Sequence, residues 1–224
     1  MTIQAVVATP PFPQVTVITT ATAGQITAPV GATRVTVEAI GGGGNGFGNN
    51  FASNRSGGGG GRFARTINLA VTGGTTIVYY SVGAAGVQSW VNVGTNAAPS
   101  ANTTGCLAPP GTAGASGVAG NGTTGTAIGT TTANGGTGTT TTGAVGGGAA
   151  GAGATIAGAG AAGSGQTAGT DTTGMSLTAQ AMGSGTGGAS TLTGTVPGGG
   201  GGSNNATGTN PAGAIGRVRI IFYG

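Results

Sequence analysis

Alternation of apolar and polar positions is confined to a few short stretches of the chain. In ATRVTVEAI, Val35, Val37 and Ala39 fall on one side of an extended segment, and Arg34, Thr36 and Glu38 on the other. A turn signal, Pro29 and Gly31, precedes it. RFARTINLAVTGGTTIVYYSVG reads as two strands joined as a hairpin through Gly73-Gly74, with Phe63, Ile67, Leu69 and Val71 on one face of the first. Val78, Tyr80 and Val82 share a face of the second. RVRIIFYG places Val218, Ile220 and Phe222 on a common face, and PQVTVITT offers one more strand. The pattern predicts strands near residues 33–40, 62–71, 75–83 and 217–223. The fold class expected is mainly β plus irregular structure, with almost no α-helix: a small β platform built from short strands.

Between Ala84 and Ile215 no period of 2 or 3.6 can be followed, and glycine, alanine and threonine dominate. A fragmentary period of three appears instead, at Gly111, Gly114, Gly117 and Gly120, and briefly again at Gly143–Gly146, Gly148–Gly151 and Gly160–Gly163. Collagen would need an unbroken triplet rich in proline, and the blocks Gly57–Gly61 and Gly198–Gly202 break it. A polyproline-II-type helix also repeats every three residues and leaves its backbone groups free. Where glycine lines the contact, such helices can approach until N–H and Cα–H groups meet carbonyls of the neighbour. The platform is therefore expected to carry a bundle of polyglycine-II-type helices, a core made of backbone. With 55 glycines in 224 residues, side-chain burial alone does not offset the entropy of ordering the chain.

Composition narrows the chemistry. The chain has no histidine, one cysteine (Cys106), two carboxylates (Glu38 and Asp171) and six cations, all arginine. Imidazole bases, lysine nucleophiles, thiolate metal cages and the P-loop lysine are excluded. The expectation is a protein that is not an enzyme, with no cofactor, metal or catalytic residue. The net charge of +4 and pI near 10.3 reflect scarce acids, because only 4% of residues are charged. The arginines are dispersed without interleaved aromatics, so no nucleic-acid partner is expected. No segment approaches the length of an apolar membrane span, and the start lacks the basic and apolar regions of a secretory signal. Synthesis in a cytoplasm without a signal peptide or membrane insertion is expected. Cys106 reads as a small buried apolar group, and Asp171 as a turn residue.

ITAPVGATRVTVEAIGGGGNG, then GGGGGRFARTINLAVTGGTTIVYYSVGAAG, many glycine clusters and a closing GRVRIIFYG resemble the glycine-rich domain of bacteriophage tail fibres and receptor-binding adhesins. A glycine block re-entering at an aromatic-Ala dipeptide (Phe63-Ala64) and the run Val82 to Gly86 belong to that pattern. The resemblance spans about residues 22–224, leaving residues 1–21 as an N-terminal arm or anchoring strand. It implies stacked polyglycine II helices with variable loops at the far end contacting a bacterial surface. The chain departs from the pattern in being rich in alanine and threonine over residues 111–195.

Connectivity suggests where such loops would lie. Gly41–Gly44 leaves one predicted strand and Gly57–Gly61 returns to the next, so NGFGNNFASNRS should turn at the end remote from the platform. SNNATGTNP does the same after Gly198–Gly202, and VQSWVNVGTNAAPSANTTG is the third expected tip. Candidate receptor contacts are Phe47, Asn49, Asn50, Phe51, Arg55, Trp90, Asn92, Asn204 and Asn205. Aromatic faces with amides suit neutral saccharides or outer-membrane protein loops; the same residues also serve as turn formers and gap fillers. Arg34, Arg62, Arg65, Arg217 and Arg219 lie on predicted strands and are candidate docking residues, or simply solvate a sheet. The leading reading is a virion-located tail-fibre adhesin, with other virion proteins and a bacterial surface saccharide or outer-membrane protein as partners. A capsid decoration or head-fibre protein is the alternative, and an ice-binding protein a remote one. A homo-oligomer, a trimer, stays open.

Overall fold

A computed structural model describes residues 11–48, 55–141, 159–164, 169, 193–203 and 210–224. These residues are mainly β, organised as two antiparallel sheets and a short ribbon, with no helix among them. The strands are β1 (Gln14–Ile18), β2 (Ala23–Thr27), β3 (Arg34–Ile40), β4 (Arg55–Ser56), β5 (Phe63–Ala70), β6 (Ile77–Ser81), β7 (Ser89–Val93), β8 (Gly105–Ala108), β9 (Thr131–Ala133), β10 (Thr140–Thr141) and β11 (Arg217–Tyr223).

The first sheet has the order β1-β11-β3-β5-β9, and the second β2-β6-β7-β8. β4 and β10 form the ribbon. β1 lies along β11, with Thr16 opposite Ile220, so from Gln14 onward the expected arm is an edge strand of the first sheet. The β-branched alternation read in β3 and β11 is what pairs them: Val37 faces Ile220 and Val35 faces Phe222 across the ladder.

The expected hairpin over residues 62–83 does not form. β5 pairs β3 and β9, whereas β6 pairs β2 and β7. The Gly73-Gly74 turn carries the chain from one sheet to the other. A turn signal reverses the chain direction but does not select pairing partners, and β3 outcompetes β6 for β5. β5 also changes face partway along. A bulge between Val35 and Val37 inserts an extra residue in β5, and Asn68 takes the left-handed conformation, with φ of 58°. Thr66 and Leu69 are therefore both buried, while Ile67, expected to share a face with Leu69, is 44% exposed.

The two sheets pack around one core. Val35, Val37, Ala39, Ala64, Val218, Ile220 and Phe222 from the first sheet meet Val78, Val91, Cys106 and Ala108 from the second. The Thr66 hydroxyl donates to the Gly105 carbonyl at 2.7 Å, a buried polar tie between the sheets. β2, β7 and β8 were not expected. The third expected tip instead begins with β7, so Trp90 and Asn92 sit within the second sheet, opposite Leu107 and Gly105.

The glycine blocks form a second kind of interior. Residues 41–44 and 57–61 are buried without contributing a side chain. The two segments run antiparallel, with Gly41 N–H donating to Arg62 and Gly44 N–H to Gly59. Along residues 57–62 successive N–H groups address three different neighbours in rotation. Gly57 and Gly60 donate to Thr139 and Gly136, Gly58 and Gly61 to Gly201 and Gly198, and Gly59 and Arg62 to Thr112 and Pro109. Each neighbour is met every third residue and runs in the opposite direction. A strand alternates between two partners and cannot do this.

Close approach explains why glycine occupies these positions. A Cβ on Gly43 would overlap the Gly199 carbonyl, and one on Gly58 the Gly44 carbonyl. The triplet read at residues 111–120 is partly realised. Gly111 and Gly114 donate to Gly42 and Asn45, but Gly117, at φ of 70°, turns the chain back beside the Ala115–Val118 bridge.

Candidate functional site

Three surfaces gather the candidate residues. The first is the end of the glycine segments, where the described residues reach Gly48 and Asn210. Gly41–Gly46 runs out from β3, and β4 begins the return, with Phe47 bridging Ser56. The residues that follow Gly198 are paired with the segment that returns to β11, through Gly198 N–H to Ile215 and Ala214 N–H to Gly199. Two side-chain amides lock these excursions together. Gly48 N–H donates to Asn210 Oδ1 at 2.8 Å, and Gly213 N–H to Asn45 Oδ1 at 3.0 Å. Gly48 and Asn210, the described residues at the ends of the two excursions, thus lie side by side. Phe47 is half-buried at this end. Arg55 is only 3% exposed, so its side chain belongs to the interior there. Asn49, Asn50, Phe51, Asn204 and Asn205 lie outside the described residues.

The second surface is the outer face of the first sheet. Pairing aligns Val17, Arg219, Glu38, Arg65 and Thr131 in one row across all five strands. Glu38 has no exposed surface. Its Oε2 accepts from Arg219 Nε at 2.5 Å, and Arg65 Nε lies 3.4 Å from its Oε1. Two of the five docking candidates therefore serve a buried carboxylate. Arg62 donates to the carbonyls of Thr123 and Gly125. Arg217, opposite Ile40, is half-buried, and burial lowers its guanidinium pKa from the usual value. Arg34 is exposed, its guanidinium 5.9 Å from the Tyr223 ring centre. Arg34 is the docking candidate most open to a partner.

The third surface is the outer face of the second sheet, where a cleft of about 320 Å³ is lined by Ala23, Gly24, Gln25, Tyr79 and Asn96. Gln25, Tyr79, Asn92 and Gly105 form one cross-strand row, and Trp90 belongs to the adjacent row with Ser81 and Leu107. Tyr79 and Trp90 are thus diagonal neighbours on one face. Asn92, 5% exposed, donates its amide to the Ala97 carbonyl at 2.8 Å and holds the Asn96 turn against the sheet. Sequence reasoning had no reason to select Gln25, Tyr79 or Asn96. The outward position of Tyr79 was implicit in its place between Val78 and Tyr80.

Cys106 is fully buried at the sheet interface, and burial, followed by the Glu38 charge, pushes its thiol well above the ordinary range. Among the described residues, no three of His, Cys, Asp and Glu come together as a metal cage. The class these surfaces define is a two-sheet β protein with an appended, glycine-lined backbone interior. Comparison with protein-family models gives no match, and comparison with curated proteins gives none either.

Proposed function

We propose that the glycine segments form a polyglycine-II-type bundle, and that the chain is a non-enzymatic virion protein, a tail-fibre adhesin. Its two sheets serve as the mounting body, and the loops beyond Gly48 and before Asn210 as the recognition end. The observation that carries this reading is the three-residue rotation of hydrogen-bond partners along residues 57–62. That periodicity is the one a polyproline-II helix imposes. A bundle of this kind is rigid without a large side-chain core, which suits a protein that must hold short loops away from a larger particle. The amide cross-ties between Gly48 and Asn210 and between Asn45 and Gly213 support a single loop-bearing end. The bacterial partner on this reading is a surface saccharide or an outer-membrane protein, and attachment to other virion proteins falls to the sheet end, through Arg34 first.

Gold-labelled antibody electron microscopy of intact particles tests the assignment. Label at tail tips is the expected result. Label scattered over the head would replace the adhesin with a capsid decoration protein, and absence of label from purified particles would remove the virion role. For docking, Arg34→Glu is the informative variant, expected to reduce incorporation into particles. Arg219→Glu is not, since it would set a second carboxylate against buried Glu38 and disrupt the sheet itself.

A further inference from the structure

The geometry points to a binding cleft for a neutral pyranose on the outer face of the second sheet, formed by Gln25, Tyr79 and Asn96 with Trp90 beside them. It is separate from the loops at the end of the glycine segments, and it stands whatever particle or cell carries the protein.

Four observations converge. The cleft, about 320 Å³, has the dimensions of a small-molecule site at the lower end of the usual range. It holds one aromatic, Tyr79, half-buried and outward-facing, and Trp90 stands diagonal to Tyr79 on the neighbouring strand, next to the cleft lining. Its rim is amide, because Gln25 and Asn96 are exposed on either side of Tyr79 and each offers both a donor and an acceptor. The rim is also held in place. Asn92 ties Ala97 to the sheet through its Nδ2, while its own buried Oδ1 has no hydrogen-bond donor among the described residues.

These features select a ligand class. A pyranose presents a face of C–H groups that packs on an aromatic ring and an edge of hydroxyls that pairs with amides. Among the five lining residues none carries a charge at neutral pH, so the cleft offers no counter-charge to a carboxylated or amino sugar. Of the cleft residues Gln25 lies on β2, which among the described residues bonds to β6 alone, so the cleft is open at that edge of the sheet. A terminal or side-branch residue of a polysaccharide can enter there without threading a chain.

Saturation-transfer NMR on the full chain tests this, with methyl α-D-glucopyranoside, methyl α-D-galactopyranoside and methyl α-D-mannopyranoside as probes and N-acetylneuraminic acid as the charged comparison. The expected result is saturation of ring C–H protons for at least one neutral probe, with millimolar affinity and a change in Trp90 fluorescence. Tyr79→Ala should weaken binding by about 10-fold, and Tyr79→Phe should preserve it. Gln25→Ala combined with Asn96→Ala changes only exposed side chains, and should also weaken binding if Tyr79→Ala fails to fold. No saturation for any neutral probe would overturn the proposal. So would binding that is unaffected by the Gln25 and Asn96 changes, or equal binding of N-acetylneuraminic acid.

Discussion

Placing a methyl group at Gly58 separates a backbone interior from an incidental glycine cluster. Gly58 is buried, and its φ is not in the left-handed region, so alanine meets no conformational penalty there. The obstacle is space: the new Cβ would overlap the Gly44 carbonyl and lie 2.7 Å from the Asn45 carbonyl oxygen. Relief requires the segment 57–61 to move away from 41–46. The hydrogen bonds at stake are Gly58 to Gly201, Gly44 to Gly59 and Gly201 to Gly44. At about 0.5–1.5 kcal/mol net for each bond, their loss costs roughly 1.5–4.5 kcal/mol. Alanine returns about 0.4–1 kcal/mol by restricting the unfolded chain. Gly58→Ala should therefore destabilise the protein by about 0.5–4 kcal/mol, read as a lower urea midpoint by circular dichroism. Hydrogen exchange should accelerate at Gly44 and Gly201, far from the mutation in sequence. Gly94→Ala is the contrast. Its φ of 82° makes alanine strained, but nothing lies within 4 Å, so its effect should stay local. A Gly58→Ala protein as stable as the parent, with unchanged exchange at Gly44 and Gly201, would refute the reasoning.

Other substitutions probe the sheets. Glu38→Ala strips the buried partner from Arg65 and Arg219 and should lower stability by about 3 kcal/mol in urea unfolding, more than any exposed ion pair on this sheet could account for. Asn68→Gly should be neutral or slightly stabilising, whereas Asn68→Val should cost about 1–2 kcal/mol, because a β-branched residue tolerates its positive φ poorly. Cys106 should resist iodoacetamide in the native state and react once the chain unfolds. Its folded pKa is raised, so its contribution to stability is complete below the ordinary thiol value of 9.0 and is lost as pH rises above it. Cys106→Ala should remove that part of the alkaline slope in urea midpoints.

The strands of the first sheet were legible because β-branched residues alternate over enough positions to define a face. Val35, Val37 and Ala39, and Val218, Ile220 and Phe222, all enter the core as the pattern requires. Partner choice was not legible. Gly73-Gly74 looks the same whether it closes a hairpin or crosses between sheets, and only the long-range competition of β3 for β5 decides. The second sheet was mostly hidden because its outer members are short and built of small residues. Gly105–Ala108 becomes a strand by lying against β7, not by any pattern of its own. The bulge at Asn68 reverses side-chain parity within one strand, and no periodicity carries through it. In the glycine segments the period of three lies in which neighbour each N–H addresses, so a run of identical residues does not display it. The paths of Gly41–Gly44 and Gly57–Gly61 could still be inferred from the strands at either side. The placement of Trp90 at a tip failed because asparagine and serine around it suggested a loop, where Val91 and Val93 were continuing a strand.

The rotation of partners along residues 57–62 can be observed directly by NMR couplings across hydrogen bonds, in protein labelled with ¹³C and ¹⁵N at glycine alone. Several of the bonds join one glycine to another, so the amide nitrogens of Gly58, Gly60 and Gly61 should couple to the carbonyl carbons of Gly201, Gly136 and Gly198. Gly44 should couple to Gly59 and Gly120 to Gly57 in the same spectrum. Those correlations, with consecutive residues addressing different segments, are what a backbone-built interior requires. Couplings from Gly58, Gly60 and Gly61 to one segment only, or fast exchange with no couplings at all, would contradict it.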